Sequence, residues 1–77
     1  SSAFRKAWEE SEVEYQLSRR IIAERLRRKM TQGQLAQKAK TTQAVISRVE
    51  RMTENVSLPL LKRIAEAFGS RLRVNFE

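Results

Sequence analysis

The chain has 77 residues and a net charge of +7, from 16 Lys and Arg against 9 acidic residues, with neither Cys nor His. That length supports one small domain, whose core is marginal without a partner chain. The missing Cys and His exclude disulfides, thiolate or imidazole zinc sites, Cys or Ser/His nucleophile pairs and histidine acid–base chemistry.

No apolar run approaches the roughly 20 residues of a membrane span, and no signal-peptide core is visible. A soluble, cytoplasmic protein without a membrane partner is expected. The chain opens Ser-Ser rather than with Met, which reads as a trimmed or residual terminus. Two Gly, one Pro and the absence of repeats or low-complexity segments favour helices joined by short turns.

In chain order, Phe4, Ala7 and Trp8 stand at i, i+3 and i+4, which predicts a short amphipathic helix over 3–10. A longer helix follows over 12–29. Its apolar positions are Leu17, Ile21, Ile22 and Leu26, with Tyr15 able to join them. Thr31 offers an N-cap, and Gln34 completes a capping box three residues on. That helix ends near Ala39, with Leu35, Ala36 and Ala39 facing inward. Thr41 or Thr42 caps the next one, which carries Val45, Ile46 and Val49 and ends near Arg51.

A polar loop over 52–56 leads to Ser57 as N-cap, with Pro59 in the first turn behind it. Leu60, Leu61, Ile64, Ala65 and Phe68 give the last helix its apolar face. Gly69 suits a left-handed stop. In the tail, Leu72, Val74 and Phe76 alternate with Arg71, Arg73 and Asn75, which is a strand pattern. A lone strand leaves its backbone groups unpaired. The expectation is that it pairs with a second copy or another protein, or frays with Leu72 and Phe76 packed on the helices.

The charge is uneven. Residues 1–16 hold two basic and four acidic side chains, residues 17–52 ten and two, and residues 53–77 four and three. The middle therefore carries the excess. A polyanion is its first expected partner, because phosphate neutralisation releases counterions and dominates nucleic-acid affinity. The alternative is an ordinary solvated helical surface, above all for Arg19, Arg20, Arg27, Arg28 and Lys29.

The segment from Thr31 to Glu50 is the most informative. It reads as two short capped helices with a break of two or three residues. Leu35, Ala36 and Ala39 on the first would face Ile46 and Val49 on the second, and the small Ala36 permits a close crossing. The outer face of the second helix holds Thr42, Gln43, Ala44, Ser47 and Arg48. Such a short, mixed polar face suits the reading of base edges in the major groove.

The pattern of Thr31, Gln32, Leu35, Ala36, Thr41, Gln43, Ile46, Ser47 and Glu50 resembles the helix-turn-helix of the lambdoid phage repressors, the Cro proteins and the small bacterial regulators built like them. The resemblance spans about Leu17 to Gly69. It implies an all-α, lambda-repressor-like domain of five helices, with the terminal strand pairing between chains. The expected organisation is an amphipathic helix over 1–11, the DNA-binding domain over 12–69 and the strand over 70–77.

Carried over by position, the resemblance implies base reading by Gln43, Ala44, Ser47 and Arg48. Gln43 would favour adenine, Ala44 a thymine methyl, and Arg48 guanine O6 and N7. Phosphates would be held by Gln32, Thr42, Arg51 and Asn55, Gln32 being helped by its helix N-terminus. Arg25 and Glu50 would form a partly buried salt bridge. Two departures stand out. The family usually has Gly where this chain has Lys40, and the loop at 51–56 lacks the family's Gly.

The full layout also resembles the HigA-type antitoxins, through Phe4, Trp8, Glu9, Glu10 and Ser11 leading into Tyr15, and through the tail from Gly69 to Val74. That resemblance implies a DNA-binding antitoxin that neutralises a small basic RelE/HigB-like ribonuclease toxin and represses its own operon. Phe4, Trp8, Glu9, Glu10, Glu12 and Tyr15 are the candidate toxin-binding residues. The alternative is a stand-alone transcriptional regulator. In either case double-stranded DNA with an approximately palindromic operator is the expected partner, in the bacterial nucleoid. A homodimer is expected, joined through Leu72, Val74 and Phe76 or through the last helix. No cofactor, metal or catalytic residue is expected, since no cluster offers an acid–base pair or metal site. The basic face lacks the exposed aromatics that RNA recognition favours.

Overall fold

Four of the five helices end in the same way, and this repeated ending sets the path of the chain. The computed structural model describes residues 2–77, with the Ala7 side chain left out; the expected place of Ala7 on the first apolar face lies outside the described residues, as does Ser1. The elements are α1 (Ser2–Glu10), α2 (Glu12–Arg27), α3 (Gln32–Lys38), α4 (Gln43–Glu50) and α5 (Leu58–Ala67).

Their starts follow from side-chain caps. Thr31 Oγ1 accepts from the Gln34 backbone N–H at 3.0 Å, and Gln34 Oε1 accepts from the Thr31 N–H at 2.8 Å. This reciprocal box satisfies two donors that the first turn of α3 would otherwise leave orphaned. Thr42, rather than Thr41, caps α4 by accepting from Val45 N–H at 3.2 Å. Ser57 caps α5 through Leu60 N–H, with Pro59 in its first turn.

The ends are Schellman turns. The N–H two residues beyond the C-cap returns to the carbonyl three positions before it. These bonds run Met30 to Arg25, Thr41 to Ala36, Thr53 to Arg48 and Ser70 to Ala65. Each requires a left-handed residue. Gly69 supplies one at φ 71°, but the others are Lys29, Lys40 and Met52, at φ 55°, 57° and 64°. Lys40 therefore takes the left-handed conformation at the position where the resembling family usually has Gly.

The core is formed by Ile21, Leu35, Ala36, Ala39, Ile46, Val49, Leu60, Ile64 and Phe68. The most extensive helix contact is α3 on α4, α2 packs on α4, α5 packs on α3, and α1 rests on α2. Leu26 departs from expectation: it is exposed. Ser18, Ile21 and Arg25, at i, i+3 and i+7, form the inner face of α2, so two polar residues occupy positions that an apolar count assigns elsewhere. Tyr15 is likewise on the surface, its ring 5.4 Å from that of Trp8.

The predicted strand is corrected. Residues 70–77 have no regular structure, and no strand occurs among the described residues. Alternation alone cannot form a strand, because the ladder hydrogen bonds need a second strand beside it. Leu72 is partly buried and lines a groove with Leu17, Ile21, Leu61, Ile64 and Phe68, while Val74 and Phe76 are exposed. Among the described residues no helix is long and apolar enough to cross a membrane.

Candidate nucleic-acid interface

α4 divides cleanly into two faces. A helix advances about 100° per residue, so Gln43, Ala44, Ser47, Arg48 and the C-cap Arg51 fall within one arc of roughly 140°, and Val45, Ile46, Val49 and Glu50 take the other. Burial follows that division. Ile46 and Val49 are in the core, whereas Gln43, Ala44 and Arg51 are exposed and Ser47 and Arg48 partly so. Thr42 is exposed at the N-cap of the same helix. Its oxygen accepts from the backbone, which leaves its O–H free to donate to a phosphate. Asn55 is exposed in the loop beyond.

Glu50 anchors this helix from behind. Arg25 donates to it through Nε to Oε2 at 2.7 Å and Nη2 to Oε1 at 3.0 Å. Gln32 Nε2 donates to Oε1 at 3.1 Å, and Ser18 Oγ donates to the Glu50 carbonyl at 2.5 Å. Arg25 also reaches the Met30 carbonyl through Nη1. The Glu50 carboxylate, foremost through its hydrogen bonds, raises the Arg25 pKa further above its usual value. The carboxylate of Glu50, on the inner side of α4, is thus hidden and matched. Gln32, assigned to a phosphate by resemblance, has its amide turned to Glu50; its helix N-terminus is held together with the reading helix.

Other contacts brace the pair. Arg63 Nε of α5 donates to the Ala39 carbonyl at the end of α3, at 2.8 Å. Arg28 donates to the Phe68 carbonyl at 3.1 Å while its guanidinium lies 5.0 Å from the centre of the Phe68 ring. Glu24 accepts from Arg27 and Arg28 and pairs with Arg20. Hydrogen bonds from Arg27 and then Arg28 hold its carboxyl at about 2. Arg20, Arg27 and Arg28 thus share one carboxylate, while Arg20 and Arg27 stay on the solvated surface.

One neighbour of Arg48 was not foreseen. Arg48 Nε donates to Glu54 Oε1 at 2.7 Å. A separation of six residues matches no helical pairing, so the partnership exists only because the turn after α4 folds back. In α1 and the start of α2, Phe4, Trp8 and Tyr15 are exposed, as are Glu9, Glu10 and Glu12. Trp8 and Tyr15 meet across the break at Ser11, whose hydroxyl donates to the Trp8 carbonyl.

Two short helices locked by Glu50, the second presenting a polar arc, define a helix-turn-helix DNA-binding fold. Residues 21–75 match the helix-turn-helix family, and the chain belongs to it, in its lambda-repressor-like branch of DNA-binding transcription regulators. The match covers well over half of the chain and leaves out α1 and the first part of α2. No curated protein and no solved structure matches the chain.

Proposed function

We propose that this protein is a sequence-specific transcriptional repressor that inserts α4 into the major groove of an approximately palindromic operator. The observation that carries the reading is the exposed arc of Gln43, Ala44, Ser47 and Arg48 on a helix fixed from behind by Glu50. Those four side chains read bases. Thr42, Arg51, Asn55 and the α3 N-terminus at Gln32 face phosphates. A homodimer, joined through Leu72, Val74 and Phe76 or through α5, sets two reading helices about one DNA turn apart. No enzymatic step is assigned.

The test is a binding titration against the region upstream of the protein's own gene, with random duplex as control, at two salt concentrations. Binding several orders of magnitude tighter to the upstream region, with steep salt dependence, is expected for an autoregulating repressor. Equal weak binding to both duplexes would refute autoregulation by this chain alone.

A narrower reading, that the repressor is the antitoxin of a toxin–antitoxin pair, is favoured by the exposed Phe4, Trp8 and Tyr15 beside Glu9, Glu10 and Glu12. Exposed aromatics ringed by acids suit a basic protein partner. Such a partner, a small ribonuclease encoded next door, would lose binding when Trp8 becomes Ala while operator binding persists. Unchanged binding to that neighbour would count against these residues as its contact.

A further inference from the structure

Resting on the DNA-reading role just proposed, we infer that Glu54 is a specificity-determining positioning residue: it fixes the Arg48 guanidinium so that its two terminal nitrogens are offered together to a guanine edge.

The argument begins with the turn. α4 ends with Arg51 as C-cap, and Met52 takes the left-handed conformation at φ 64°. That turn is closed by two bonds on one carbonyl, Thr53 N–H to Arg48 O at 2.8 Å and Thr53 Oγ1 to the same oxygen at 3.3 Å. The chain therefore doubles back alongside Arg48, and the next residue, Glu54, meets its side chain. Glu54 is the better shielded of the two, with its side chain 26% exposed against 43% for Arg48. It lines a groove with Val49, Met52, Asn55 and Val56, which limits its freedom.

The bond uses Nε of Arg48. Among the described residues no hydrogen bond engages Nη1 or Nη2. A guanidinium is planar, so holding Nε fixes the plane of all three nitrogens. The remaining pair matches the spacing of guanine O6 and N7. An arginine on a helix surface otherwise keeps considerable rotamer freedom, which a bidentate contact must remove. A carboxylate already in place removes part of it before DNA arrives. Glu54 thus raises preference for guanine rather than general affinity, since its own charge does not favour phosphates.

The experiment is a selection from a random duplex library with the full chain, followed by titrations of the enriched duplex and of its single-base variants. Arg48→Ala first identifies the base pair it reads, by the one position whose preference relaxes. Glu54→Ala is expected to reduce discrimination at that same pair by about tenfold or more, with the other positions unchanged and the melting temperature of the free protein near that of the parent. Glu54→Gln, which still offers an oxygen to Nε, should retain part of the preference. In the Arg48→Ala background, Glu54→Ala should have no further effect on base preference. Enrichment of no sequence would overturn the DNA-reading role itself and this inference with it. An enriched sequence whose guanine preference survives Glu54→Ala would overturn the inference alone. So would tighter binding of Glu54→Ala to the guanine duplex, which would make Glu54 a competitor for Arg48.

Discussion

Arg25 and Glu50, 25 positions apart, form a two-pronged ion pair whose side chains are 13% and 6% exposed. It ties the long α2 to the last residue of the reading helix. Because Gln32 joins the same carboxylate, the two helices of the helix-turn-helix are fixed by one group. The position of the exposed polar arc of α4 rests on this buried polar cluster as well as on the core that Leu35 and Ile46 share.

Breaking that pair should therefore be costly. Glu50→Ala leaves the Arg25 guanidinium and the Gln32 amide without their acceptor, a loss of about 3–5 kcal/mol. The total stability of a domain this size is of order 4–11 kcal/mol. Urea titration should show a large fall in midpoint, and a large part of the population unfolded if the parent lies at the low end. Replacing both partners, as in Arg25→Met with Glu50→Leu, should recover most of the loss. A Glu50→Ala variant within about 1 kcal/mol of the parent would mean that water replaces the pair without penalty.

Lys40 offers a gain instead. Its left-handed backbone costs a residue with a Cβ about 1–2 kcal/mol. Glycine removes that cost but adds about 0.5–1 kcal/mol of unfolded-state entropy. The positive side chain also lies favourably beyond the α3 C-terminus. Lys40→Gly should raise stability by roughly 0.5 kcal/mol, a few degrees in Tm. Lys40→Ala, which keeps the strain and loses the charge, should lower it. A thermal melt in which alanine matches glycine would remove backbone strain as the cause.

Most of the fold can be read from local rules. The Thr31–Gln34 box, the Ser57 cap, Pro59 and Gly69 mark helix boundaries within a residue or two, and the apolar spacing identifies all nine core residues, Ile21 and the eight from Leu35 onward. The polar arc of α4 is visible for the same reason, since Gln43, Ala44, Ser47 and Arg48 share one side at helical spacing. What escapes is whatever depends on a return of the chain. Glu54 meets Arg48 only through a left-handed methionine, for which composition gives no signal. Ser18 reaches Glu50 from a position that hydropathy assigns to solvent. The tail alternates like a strand, but the partner that would make it one is not encoded within these residues.

Stability should also carry an acid limb from Glu24. Its carboxyl is lowered from an ordinary value of 4.5 to about 2, by Arg27 first and Arg28 next. On acidification the unfolded chain takes up this proton before the folded one does. The network's contribution is therefore complete above about pH 4.5 and is lost as the pH falls towards 2. Melting temperatures of the parent and Glu24→Gln should differ by a constant amount above pH 5 and converge below it. Parallel curves down to pH 2 would show that the arginines do not favour the ionised carboxylate.

The tail can be tested by charge. Phe76 is 99% exposed, so Phe76→Asp should leave the melting temperature of the single chain unchanged. If two copies meet through the tail, sedimentation at micromolar concentration should shift from dimer to monomer, and operator binding should weaken with it. A variant that remains dimeric would place the junction on α5 or elsewhere.

Arg48 and Arg51 stand three residues apart on one arc of α4, and their variants should separate reading from gripping. Arg48→Ala should cost about 1–3 kcal/mol on the preferred duplex and relax preference at one base pair, because a bidentate contact to a base edge is what it removes. Arg51, exposed at the C-cap of α4, is the residue proposed above to hold a phosphate. Its removal should weaken all duplexes alike and reduce the salt slope by about one counterion, with base preference intact. Titrations at several salt concentrations on matched and mismatched duplexes measure both quantities at once. A loss of base preference in Arg51→Ala, with an unchanged salt slope, would rotate the docked helix by one turn's edge and bring Arg51 onto the bases instead.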